Sequence, residues 1–192
     1  DAQWNSERFE ARFDYALSGD GVDTVFFRET VQFTPAHSRA DEKSLRGLLV
    51  VSGAVLGLSY YKAAPPPVFR VEVPGMTDQA VEYLQILIRH GMAEFAYRQE
   101  MSGPLEPDIV RVAPGESPFP EATWRVPDGD PIVPIGGGKD SVVSVELLHR
   151  ARLHLIQFAV NANPIIRRVA AASRHALITA KRTLDPTLLA LN

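Results

Sequence analysis

The chain has 192 residues, 45% of them hydrophobic and 22% charged, with 20 basic and 23 acidic side chains giving a net charge of −3. That is an ordinary globular composition for one large domain or two small ones, with no basic stripe to predict nucleic-acid binding and no apolar run long enough to span a bilayer, since the longest, Leu48 to Leu58, is interrupted by glycine and serine. The absence of cysteine excludes disulfides, thiolate metal sites and a cysteine nucleophile or base within this chain, and a reducing cytoplasm is its simplest home.

Residues Arg8 to Leu17 alternate, with Phe9, Ala11, Phe13, Tyr15 and Leu17 on one face and Glu10, Arg12 and Asp14 on the other. That is strand period. The turn Ser18-Gly19-Asp20-Gly21 and a second run, Val22 to Phe33, complete an antiparallel hairpin. Residues Pro35 to Ala40 read as a loop, Asp41 as a helix cap, and Ser44 to Ala63 as an apolar helix stopped by Pro65-Pro66-Pro67. The helix carries Gly47, Gly53 and Gly57, which cost stability and imply close packing against a neighbour.

A strand is expected over Val68 to Val73. Thr77 then caps a helix through Val81, Leu84, Leu87 and Ile88, Gly91 ends or kinks it, and Met92 to Arg98 adds a further helical turn. Prolines crowd the next stretch, which reads as a linker or wrapped loop with a short strand near Ala122 to Val126. The expected organisation is an α+β N-terminal domain over 1–101, the proline-rich stretch over 102–130, and a second α/β domain over 131–192.

The second half opens on Pro131-Ile132-Val133-Pro134-Ile135-Gly136-Gly137-Gly138-Lys139-Asp140-Ser141. Ile132 to Ile135 is a buried strand, three glycines follow, and a helix begins at about Ser141 and runs to Ala151. Glycines let the backbone approach a bulky anion, and the first helix amides have no partner inside the helix. Those amides and the helix dipole favour a phosphate there. A plain glycine-rich strand–helix turn is the alternative. The pattern is not a Walker loop, because Asp140 follows Lys139 and position 133 is valine where that loop needs glycine.

His154 to Val160 is a second strand, Asn161-Ala162-Asn163-Pro164 a turn, Ile165 to Arg174 a helix, and Ala176 to Ala180 a third strand. Strand and helix alternate, which predicts a parallel, doubly wound sheet with right-handed crossovers. Only about three strands can be built after Asp130, too few for a complete nucleotide domain of this class. The chain is therefore expected to continue beyond Asn192, in its own polypeptide or a partner chain. The oligomeric state is left open by the sequence.

The order Gly137-Gly138-Lys139-Asp140-Ser141 resembles the S-G-G-x-D-S loop of the PP-loop ATP pyrophosphatases, with Gly136 where that family usually has serine. Three further stretches sharpen the resemblance: Gly57-Leu58-Ser59-Tyr60-Tyr61-Lys62-Ala63, Gly91-Met92-Ala93-Glu94-Phe95-Ala96-Tyr97-Arg98, and Asn163-Pro164-Ile165-Ile166-Arg167. Together they are similar to the ATP-dependent epimerases acting on UDP-N-acetylmuramoyl-L-alanyl-L-glutamate. The resemblance implies an incomplete PP-loop-like domain, ATP and Mg²⁺ as cofactors, and a UDP-activated muramoyl dipeptide as substrate. The reaction it implies is inversion of the terminal L-glutamate to D-glutamate in peptidoglycan precursor synthesis, with release of AMP and diphosphate. Two other classes remain: a different PP-loop enzyme, such as an amidating synthetase or tRNA-modifying enzyme, and a nucleotide-binding interaction module.

Under the resemblance, Gly136, Gly137, Gly138 and Ser141 hold phosphate oxygens, Lys139 offsets their charge, and Asp140 holds the magnesium ion or caps the helix. Lys139 and Asp140 are the expected catalytic pair. Asn161 and Asn163 follow the second strand, in the same crevice as the loop, for nucleotide contact or simply for the turn. Arg167 begins a helix, where the dipole disfavours a cation, which hints at an anionic ligand. Tyr61 and Lys62 are candidate substrate contacts, and Arg98 either clamps a substrate carboxylate or pairs with Glu94 on the surface.

Overall fold

The computed structural model describes residues 1–35, 42–113 and 129–191, with the side chains of 42–44 outside the description. The expected cap at Asp41, most of the loop over 35–40 and the strand at Ala122 to Val126 fall outside the described residues.

Three strands open the chain: β1 (Ala2–Asn5), β2 (Glu10–Gly19) and β3 (Val22–Phe33). Alternation in β2 and β3 sets a polar face, with Arg12, Asp14 and Arg28, against an inner face on which Ala11 lies opposite Val31 and Tyr15 opposite Phe27. Helix α1 (Glu42–Tyr61) covers that inner face. Its glycines allow the approach. A Cβ on Gly53 would lie 2.8 Å from the Phe13 ring, and one on Gly57 3.0 Å from the Tyr15 ring.

Another face of α1, along Val50, Ala54, Leu58 and Tyr61, belongs to a second layer with β4 (Val68–Val71), α2 (Asp78–Gly91), α3 (Ala93–Arg98) and β5 (Asp108–Arg111). Helix α2 forms where expected because Thr77 accepts from Ala80 N, and Ala80, Leu84 and Ile88 fall on one buried stripe. Strand β5, within the proline-rich stretch, pairs parallel with β4, and Leu105 just before it is buried in the same core.

The remaining elements are β6 (Ile132–Pro134), α4 (Lys139–Arg150), β7 (Ile156–Val160), α5 (Pro164–Ser173), β8 (Ala176–Thr183) and α6 (Pro186–Ala190). The strands β6, β7 and β8 pair in parallel, in spatial order β8-β7-β6. Helices α4 and α5 lie together on one face, over Val133, Ile135 and Ala159. That is the arrangement two successive right-handed crossovers give.

The sheet as a whole is mixed, not parallel throughout. The outer edge of β8 pairs antiparallel with β3, Thr183 opposite Thr30 and Ala180 opposite Phe33, making one six-stranded sheet β1-β2-β3-β8-β7-β6. Strands from both sides of residues 102–130 are thus hydrogen-bonded neighbours. Among the described residues, no helix is long and apolar enough to cross a membrane.

Candidate functional site at the carboxyl ends of the parallel strands

The ladder between β6 and β7 runs on to Ile135, whose N–H donates to Phe158 O at 2.8 Å. The chain then turns sharply. Gly137 takes φ +79°, and a Cβ there would stand 3.1 Å from Ile166 Cγ1 and 3.3 Å from Ile166 N. Only glycine meets both demands at that position. The loop is thereby seated against the first turn of α5. Gly136 N donates to Ser141 Oγ at 3.0 Å, which closes the loop and leaves the Ser141 hydroxyl proton free to donate elsewhere.

Helix α4 begins at Lys139, two residues earlier than the sequence pattern suggests, so Lys139 and Asp140 lie in its first turn with exposed side chains. Its N-cap is Gly138, in extended conformation, and no side chain caps it. The contrast with its neighbours is informative. Thr77 caps α2, Asn163 caps α5 through Ile165 N and Ile166 N, and Asp185 caps α6 through Thr187 N, whereas the short α3, which follows α2 directly, shares with α4 the lack of a side-chain cap. At α4 the first amides are left for another acceptor. A Cβ on Gly136 or Gly138 would meet nothing within 4 Å, so both glycines border open space. A serine at position 136 would fit sterically.

This geometry yields a stability prediction. Gly137→Ala should lower stability by about 1–3 kcal/mol, because the alanine must hold a left-handed backbone and press on Ile166. Gly136→Ser should change it by less than about 0.5 kcal/mol. Thermal denaturation of the two variants reads the difference directly.

Asn161 and Asn163 lie at the same end of the sheet. Asn161 adopts φ +48° and clasps the next strand, accepting from Arg182 N at 2.8 Å and donating Nδ2 to Arg182 O at 3.1 Å. Asn163 Oδ1 accepts from Ile165 N and Ile166 N, each at 2.9 Å. Both amide side chains therefore hold the backbone at that end of the sheet. Arg167, in the first turn of α5, donates Nε to Ala162 O at 3.2 Å and is otherwise exposed.

The other candidates sit in the second layer. Tyr61 is buried against Phe69, with ring centroids 5.9 Å apart. Lys62 Nζ lies 5.7 Å from the centre of the Phe95 ring, a cation–π arrangement. Arg98 pairs with Glu94 at 3.7 Å on an exposed helical face. Among the described residues, the contacts of these three stay within the second layer and do not join them to the glycine loop.

A polar cluster the sequence reading did not single out lies under α1, at the end of β8 that adjoins Asn161. Glu29 is fully buried and receives two bonds from Arg182, Nε at 2.5 Å and Nη2 at 3.0 Å. Arg182 Nη2 also donates to Leu56 O and Ser59 Oγ of α1. Tyr15 and Tyr60 stack beside the pair, with ring centroids 4.6 Å apart. Burial, with the Glu29 carboxylate added, pushes the Tyr60 hydroxyl up to about 12 and raises that of Tyr15 as well. Tyr60 Oη accepts from Asp185 N, and Asp185 in turn accepts from Arg28 N and Thr187 N, bonds that lower its carboxyl below the usual aspartate range. The signal was present in β3 and β8: each strand puts one charged residue on its otherwise apolar inner face.

The fold and site define a mixed α/β domain with a glycine loop and an uncapped helix start at the carboxyl end of a parallel strand. The chain belongs to the family described as MurL N-terminal domain, whose family model matches residues 1–192. It is 37% identical over 185 residues to a UDP-N-acetyl-alpha-D-muramoyl-L-alanyl-L-glutamate epimerase from Micromonospora sp., covering 95% of this chain and 41% of that protein. The epimerase of the same name from Salinispora tropica is 36% identical over 189 residues, 95% of this chain and 40% of the relative. One from Xanthomonas oryzae pv. oryzae is 29% identical over 155 residues, 80% and 33% respectively. The chain thus spans about two-fifths of the length of the first two relatives. No solved structure matches.

Proposed function

We propose that this chain is the nucleotide-loop-bearing part of an enzyme that inverts the terminal L-glutamate of UDP-N-acetylmuramoyl-L-alanyl-L-glutamate. The reaction uses ATP and belongs to cytoplasmic peptidoglycan precursor synthesis. The observation that carries the nucleotide half is the uncapped start of α4, opened by Gly138 after a loop that packs against α5. The names of the relatives support the substrate half.

The chemistry explains why ATP is needed. The α-hydrogen of a glutamyl carboxylate is hardly acidic, because its loss would set a second negative charge beside the first. Attack of that carboxylate on the α-phosphorus breaks the bond to diphosphate and gives an acyl adenylate. The charge is gone, and ordinary bases suffice to remove the proton and return it on the opposite face. Hydrolysis then restores the carboxylate and frees AMP. In this reading the α4 amides and the Ser141 hydroxyl hold phosphate oxygens, and Lys139 balances their charge. Asp140, exposed beside the open loop, suits a hard cation. A magnesium ion bound there would supply charge neutralisation at the departing diphosphate.

The test uses the full-length protein in deuterated water, with UDP-N-acetylmuramoyl-L-alanyl-L-glutamate, ATP and Mg²⁺. The expected product, after hydrolysis and chiral separation, is D-glutamate with deuterium at the α-carbon, formed only with ATP and matched by AMP and diphosphate. Recovery of unlabelled L-glutamate alone would overturn the reading.

A further inference from the structure

The two faces of β6–β8 are unequally covered. Val133, Ile135 and Ala159 lie under α4 and α5. On the opposite face α1 shields β2, β3 and β8, and a trough of about 1400 Å³ runs from there across Phe158, Val160 and Ile178. Its walls are mostly apolar. Among the described residues, Val160 keeps 47% exposure there, and Ile132 on β6 keeps 60%. The sheet also ends at β6, with no described strand on its far side.

The path of the chain says what belongs there. After β8 it enters α6, whose Leu188 packs on Phe27 and Tyr60 and so lies on the α1 face. Crossovers over the α4–α5 face step from β6 to β7 to β8. A right-handed crossover over the other face must step the opposite way. In that direction β7 and β6 are already placed, so the first vacant position is the free edge of β6. Its backbone can accept a partner there. Ile135 N donates to Phe158 O, and Pro131 O accepts from Ile156 N, so the odd-numbered residues face β7. Ile132 then turns a donor and an acceptor to the free edge, and Pro134 an acceptor only.

We infer that the polypeptide following α6 in the full-length protein crosses the Phe158–Val160–Ile178 face and adds a short parallel strand to the free edge of β6. The inference rests on the reading that the family's remaining three-fifths follows this N-terminal domain. The crossover buries the trough. The new strand turns the glycine loop into a point where the direction of winding reverses, which is where open α/β sheets bind ligands.

Photo-crosslinking in the full-length protein tests this, with benzoyl-phenylalanine placed at Val160 in one variant and at Ile132 in another. The expected result is intramolecular crosslinks at both positions to peptides C-terminal to Asn192. Crosslinks to residues within this chain, crosslinks joining two copies, or no crosslink would each overturn it. The deuterium assay is run separately on the unsubstituted protein. Loss of epimerisation with the C-terminal crosslinks intact refutes the activity alone, and epimerisation without them refutes the docking alone.

Discussion

Arg182→Met is expected to destabilise the protein by about 3–5 kcal/mol, the cost of stranding one member of a buried ion pair. Glu29 has no exposure at all, while the Arg182 side chain keeps 23%. The asymmetry decides which partner matters more. Without Arg182, the Glu29 carboxylate loses two charge-assisted bonds in a site it cannot leave. Without the carboxylate in Glu29→Gln, the guanidinium still reaches Leu56 O, Ser59 Oγ and some solvent. Arg182→Met should therefore cost more than Glu29→Gln. The double variant Glu29→Leu with Arg182→Met removes both charges and should recover most of the loss, since apolar replacement of a whole buried pair is often neutral. Urea unfolding midpoints of the three variants measure this. A cost below about 1 kcal/mol for Arg182→Met would mean that water reaches the cluster.

That cluster marks where sequence reasoning stopped. Helix α2 was legible because Thr77 and the stripe Ala80, Leu84 and Ile88 are local signals. The glycine loop and the Asn163-Pro164 start of α5 were legible for the same reason. What escaped depends on distant pairing. Strand β1 is four residues with two polar side chains, and it forms because β2 offers an edge. Strand β5 is legible only beside β4, forty residues earlier in register. The junction of β3 with β8, and the bond from Arg182 to Glu29, join residues about 150 positions apart. In the loop, sequence supplied the residues, but not the fact that Asn161 and Asn163 spend their side chains on Arg182 and on the first turn of α5.

Catalysis should separate from stability at α4. Lys139→Ala and Asp140→Asn are each expected to cut ATP cleavage by the full-length protein about a hundredfold or more, the usual cost of removing one charged group from a transition state that develops charge. Stability should hardly move, because both side chains are exposed. Asp140 adds one complication, since an acidic residue in a first turn also interacts with the helix dipole, worth about 0.3–1 kcal/mol. A purely structural Asp140 would therefore shift the melting temperature of Asp140→Asn slightly and leave turnover intact. An Asp140 that holds the cation would do the reverse, and raising magnesium would partly restore the variant's rate. The readout is diphosphate release at saturating and at limiting ATP. For Lys139→Ala, a higher KM with unchanged kcat would mean that the lysine only binds the ground state, whereas a fall in kcat places its charge on the departing phosphates. Unchanged kinetics in both variants would remove the glycine loop from the reaction and leave it a rigid turn between β6 and α4.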